Sequence, residues 1–146
     1  ITANILILPC LLEYIKNIHK LRCEYNTDRQ LIWFDIPMLT EPNWMSLQLA
    51  SPEMLTVMPD VIEFMEANIE TSDNRYKGFK DYEIDKIKRL YDWSLKNMDS
   101  NEESIAKQNL YLYIEQHDKR RNTNFLKTFP EMLDFYNECR NEYEQK

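Results

Sequence analysis

Glycine occurs once in this chain of 146 residues, at Gly78. Tight hairpin turns and loops that wrap phosphate need residues free of a Cβ, and glycine supplies most of them. Dinucleotide-binding and P-loop chemistry both require several glycines and are therefore excluded. Frequent Leu, Ile, Met, Glu and Lys favour helices over tight-turned sheets. Hydrophobic residues make up 43% of the chain, enough for a real core in one domain and too many for bulk disorder.

The formal net charge is −7. Phosphate contacts need a clustered positive face, so no nucleic-acid partner is expected. No apolar run approaches the roughly 20 residues of a membrane span, so no membrane partner is expected either, and the composition suits a cytoplasmic protein. The chain opens at Ile1 without a Met and enters an apolar run at once, a pattern suggesting that preceding sequence is missing. Cys10, Cys23 and Cys139 are odd in number and lack metal-like spacing. They read as ordinary, partly buried thiols, with neither a disulfide framework nor a metal site.

Two segments read as strands. Residues 1–8, ITANILIL, are apolar except for Thr2 and Asn4 and close at Pro9. Residues 31–37, LIWFDIP, are rich in Ile, Trp and Phe and end at Pro37. The helix expected between them, Cys10 to Tyr25, turns Leu11, Leu12, Ile15, Ile18 and Leu21 inward, with Lys16, Asn17 and Lys20 opposite. Strand, helix, strand implies a parallel pair joined by a right-handed crossover. Such a pair is too small to be a finished sheet, so the remaining strands are expected elsewhere, in missing sequence or in another chain.

The rest reads as helices. Ser51 and Pro52 supply a cap and a first helical position, and an apolar stripe from Leu55 to Ile69 is expected to break near Pro59. The polar stretch Glu70 to Lys77, closed by Gly78, reads as the boundary between a strand-bearing part, 1–72, and a helical part, 73–146. Further helices are expected over about 81–97, with Ile84, Ile87, Leu90, Tyr91, Ser94 and Leu95 inward, over about 102–116, and from Pro130 to about Glu144. Met132, Leu133, Phe135, Tyr136, Cys139 and Tyr143 supply the inner face of the last.

Among candidate site residues, Asp35 lies inside an apolar run next to its end, where a buried carboxylate needs a partner. Ligands gather at the C-terminal ends of parallel strands, so Trp44, Ser46 and Gln48, just beyond, would line the same mouth. Trp33 and Trp93 read as core. His117-Asp118 invites comparison with metal phosphohydrolases, but His19 and His117 are the only histidines, too few for such a centre. Lys119, Arg120 and Arg121 come directly after. They read either as favourable cations at a helix C-terminus or as an anion clamp, since guanidinium binds carboxylate and phosphate in a bidentate fashion.

The order of LIWFDIPMLTEPNWMSLQ, FKDYEIDKIKRLYDW and HDKRRNTNFLKTFPEMLDFYNEC resembles the later part of radical S-adenosylmethionine proteins with a shortened "twitch" C-terminal domain. The resemblance implies a mainly α chain whose two short parallel strands are late strands of a partial α/β barrel, followed by a C-terminal helical region. It implies a full-length protein that uses a 4Fe–4S cluster and S-adenosylmethionine. The cluster motif, Cys-x3-Cys-x2-Cys, is absent here, so this chain alone would hold no cofactor, bind no metal and be inactive. By the same resemblance Asn4 and Asp35 face the cofactor-bearing mouth. Trp44 and Gln48 lie beside it, and His117, Arg120 and Arg121 form a substrate or partner clamp. The implied partner is the missing N-terminal barrel region or another chain. The alternative is a stand-alone helical interaction module, completed by a partner or by a homodimer.

Overall fold

The computed structural model describes residues 1–96 and 98–145. Its helices are α1 (Leu11–Tyr25), α2 (Pro52–Leu55), α3 (Val57–Ala67), α4 (Asp81–Ser94), α5 (Ser100–Arg121), α6 (Phe125–Thr128) and α7 (Leu133–Glu144). Short 3-10 turns cover Ile5–Cys10, Asn43–Met45, Leu47–Leu49 and Pro130–Met132. Among the described residues no strand forms, and no helix is long and apolar enough to cross a membrane.

The two expected parallel strands, and the partial α/β barrel built on them, are therefore corrected. Asn4 acts as a cap: its Oδ1 accepts from the Leu6 N–H at 3.0 Å, and the run Ile5–Cys10 closes into a 3-10 turn. Residues 31–38 are extended, with Phe34 and Ile36 buried and Leu31, Trp33 and Asp35 exposed. Their contact with the first segment is one isolated parallel bridge, Ala3 to Met38, in which the Ala3 N–H donates to the Pro37 carbonyl at 2.9 Å. The alternation is that of a half-buried strand, but a strand needs a ladder, and here none is built. Trp33, expected in the core, is 68% exposed.

Instead of a neighbouring strand, a side chain serves residue 32. The Asn26 Oδ1 accepts from the Leu31 and Ile32 N–H groups at 2.9 and 2.8 Å. Its Nδ2 donates to the carbonyls of Tyr76, at 2.8 Å, and Ile32, at 3.4 Å. Asn26 is fully buried, so these bonds satisfy an amide that would otherwise be costly.

α1, α3 and α4 pack together through Leu11, Ile15, Met58, Val61, Met65, Ile84 and Ile87, all buried. Ser51 caps α2, its Oγ accepting from the Met54 N–H at 3.4 Å, with Pro52 at the first helical position. The break between α2 and α3 falls at Thr56. Pro59 has no N–H to give residue 55, and its ring crowds that carbonyl, so one continuous helix cannot pass. Ile69 and Phe79 form a second isolated parallel bridge, which closes the loop between α3 and α4.

α5 and α7 run antiparallel, as the pairs Ser104–Glu142 and Glu115–Tyr136 show. Between them lie Ala106, Leu110, Ile114, Phe135 and Cys139. α5 is longer than expected and carries Lys119, Arg120 and Arg121 in its last turn, opposite the negative end of its dipole. Asn122 ends it in the left-handed conformation, φ 53°. The turns around Trp44 and Gln48 wedge between α4 and α5, which joins the two helical groups. Leu21, Leu95 and Leu133, expected inward, are 39%, 54% and 48% exposed: Leu95 lies past the end of α4, and the other two sit at the edge of their stripes.

Candidate functional site

A concavity lies where the Ile5–Cys10 turn, α2 and the start of α3 face α7. It is a cleft of about 570 Å³. Leu8, Met132 and Phe135, all nearly fully buried, make its floor, and Met54, Val57 and Pro9 its apolar wall. Glu53, Glu131, Asp134 and Glu138 rim it, and among the described residues no Lys or Arg lines it. The sequence folds this way because Ser51 and Pro52 start α2 at the point that puts Glu53 on the rim. Asp134, Phe135 and Glu138 recur at helical spacing and so share one side of α7, with Glu131 in the 3-10 turn just before it.

The Glu53 carboxyl is held below its ordinary value by its own backbone N–H, with help from the Ser51 hydroxyl. Glu138 is engaged by Lys107, 3.6 Å away, which also meets Glu103 at 2.8 Å. Burial acts to lower the Lys107 ammonium, but these carboxylates outweigh it and raise the pKa. Among the described residues no ion pair involves Glu53, Glu131 or Asp134. A smaller hollow of about 340 Å³ continues the cleft past Ser51, Glu53 and Glu138 to Gln48 and Lys107.

The residues singled out in the sequence fall in several places. Asn4 is the cap of the Ile5–Cys10 turn, and its Nδ2 donates to the Thr2 carbonyl at 3.0 Å. Asp35 is exposed and bonds to Lys86, which holds its carboxyl below the ordinary range. Ser46 is buried and caps the next turn, its Oγ accepting from the Gln48 N–H at 3.1 Å. The Gln48 Nε2 donates to the Lys96 carbonyl at 3.0 Å.

Trp44 and His117 are brought onto one strip of α5: the Trp44 ring lies 4.7 Å from Tyr113, and the Tyr113 ring 6.0 Å from His117. His117 Nδ1 sits 3.5 Å from the Thr123 hydroxyl and 3.8 Å from Asp118. Burial acts to raise the Asp118 carboxyl, yet bonds from Thr123 Oγ1, at 2.7 Å, and the Phe125 N–H, at 2.6 Å, hold it low. Asp118 thus anchors the turn after α5. Arg120 and Arg121 are exposed, with no ion pair among the described residues.

Sequence reasoning missed the cleft. Its rim draws on positions from 53 to 138, and separations of that size leave no local signal. Among the described residues no group of three or more His, Cys, Asp or Glu side chains is arranged to hold a metal ion. No family model, curated protein or solved structure matches the chain.

Proposed function

We propose that the chain is a protein-interaction module whose cleft receives a cationic, amphipathic segment. The observation that carries this reading is an apolar floor ringed by Glu53, Glu131 and Asp134, which pair with no cation among the described residues. An apolar face would bury Leu8, Met132 and Phe135, while Lys or Arg side chains would meet the rim. Met54 and Met132 suit the role because unbranched thioether side chains adapt to varied partners. Complementary charge speeds encounter and sets register, while the floor provides the burial.

The test is anisotropy of a labelled Lys/Leu helical peptide titrated with the chain. Binding should be saturable and weakened at least about tenfold, some 1.4 kcal/mol, by Glu131→Lys with Asp134→Lys. Equal affinity for the parent and this variant, both shown folded by circular dichroism, would sink the reading.

The resemblance to radical S-adenosylmethionine proteins rests on sequence, chiefly on the run 117–131. It is tested separately: anaerobic reconstitution of this chain should leave no stoichiometric iron, and four irons per chain would refute the inactive-fragment proposal.

A further inference from the structure

We infer that the segment received by the cleft is the C-terminal end of α5 from a second copy of this chain. The inference rests on the proposed role of the cleft and names its partner. The matching features stand on one helix. Tyr113 and Arg120 are seven residues apart, so they lie within about 20° of one line along α5, with Leu112 and Arg121 roughly 90° to either side. Leu112 and Tyr113 are 37% and 41% exposed, Tyr113 with part of its ring against Trp44. Arg120 and Arg121 are exposed and, among the described residues, unpaired. This end of α5 is therefore both apolar and cationic.

The spans agree. At a helical rise of about 1.5 Å per residue, Leu112 to Arg120 covers roughly 12 Å, and Glu131 to Glu138 roughly 10 Å. Because the cleft's carboxylates surround its apolar floor, Tyr113 can reach the floor while Arg120 meets the rim. The contact is heterologous, since the surface given differs from the surface used, so each added copy leaves one cleft and one α5 end free. The overall charge of −7 opposes any self-association. Near 0.15 M salt that repulsion is screened beyond about 8 Å, while touching pairs persist; near 1 M the screening length of about 3 Å weakens them too.

The experiment is sedimentation velocity on the whole chain across a range of concentrations at both salt levels. The average mass should climb with concentration near 0.15 M salt and fall back near 1 M. Arg120→Glu with Arg121→Glu should sediment as a monomer, as should Glu131→Lys with Asp134→Lys. Mixed together, these variants restore one native contact, between an intact cleft and an intact α5 end, and one charge-reversed contact, so the mixture should associate although each variant alone stays monomeric. A parent chain that stays monomeric at every concentration overturns the inference, and so does a mixture that stays monomeric. If the Lys/Leu peptide still binds in that case, the cleft takes a foreign cationic segment and only the choice of partner has failed. If the peptide does not bind, the cleft reading fails with it.

Discussion

Arg22 and Glu83 meet as a two-pronged ion pair with no access to solvent: Nη2 lies 2.6 Å from Oε1 and Nη1 2.9 Å from Oε2. The pair ties α1 to α4. Arg22 Nη1 also donates to the Gly78 carbonyl at 3.0 Å, and its guanidinium lies 5.4 Å from the centre of the Phe79 ring. The Arg22 Nε–H is buried without a partner among the described residues. Replacing Arg22 by Ala leaves a carboxylate alone in the core and should cost about 3–5 kcal/mol. The double change Arg22→Met with Glu83→Leu removes both charges and should cost much less. Urea unfolding of the three proteins measures this, and a single variant as stable as the double would contradict the account.

Gly78 sits where a side chain cannot. A Cβ there would stand 2.5 Å from the Glu70 nitrogen, 2.6 Å from its Cα and 2.6 Å from the Ile69 carbonyl carbon, all backbone atoms. Gly78→Ala should therefore strain the bridge in which Glu70 N–H donates to the Phe79 carbonyl at 2.7 Å and Phe79 N–H to that of Asn68 at 2.9 Å. Overpacking costs about 1–3 kcal/mol, more than the roughly 0.4–1 kcal/mol gained by restricting the unfolded chain. A lowered urea midpoint is expected, and an unchanged or raised one would show that the backbone yields.

Acid sensitivity should come in part from Glu70. Burial acts to raise its carboxyl, but the Lys80 ammonium, 2.9 Å away, and the Tyr76 N–H outweigh it and hold the pKa below the ordinary 4.5. The folded state thus binds fewer protons than the unfolded one in this range, so stability rises with pH. The contribution is complete above 4.5 and disappears as the pH falls through the lowered folded value. Glu70→Gln should flatten this part of the profile of urea midpoint against pH, and an unaltered slope would assign it to other groups.

The thiols should divide by burial. Cys139 is fully buried, and desolvation pushes its pKa up to about 12 despite the nearby Lys107. Cys10 and Cys23 are exposed. Only the thiolate attacks a disulfide reagent, so a chromogenic disulfide at mildly alkaline pH should modify Cys10 and Cys23 promptly and Cys139 only after denaturant. Prompt release of all three equivalents would mean that the packing of α7 on α5 opens readily.

The helices were legible because their apolar residues recur at helical spacing and their ends carry chemistry. Ser51 and Pro52 mark a start, Pro59 forces the break before it, and the cations at 119–121 close α5. The apolar run 1–8 lacks a period and reads equally as strand or buried turn, a choice that the Asn4 cap decides. Residues 31–37 alternate as a strand does, yet alternation records which side chains are covered and says nothing of whether a neighbour supplies a ladder. Arg22 left a signal of its own, standing on the stripe of Leu11, Ile15 and Ile18 where an apolar residue would be expected. Glu83 does the same beside Ile87, Leu90 and Ser94. The cleft left none, since it exists only once α7 lies opposite α2.

The Asn26 amide has a consequence beyond its hydrogen bonds. An extended segment with free backbone groups is a template on which another molecule can lay a strand, the first step toward aggregation. At Ile32 that template is plugged from within, because the N–H and carbonyl a visiting strand would seek are already held by Asn26. One carboxamide thus does for this exposed stretch what a covering helix does for the rim of a sheet, and guards against the pairing that the outward faces of Leu31 and Trp33 would otherwise invite.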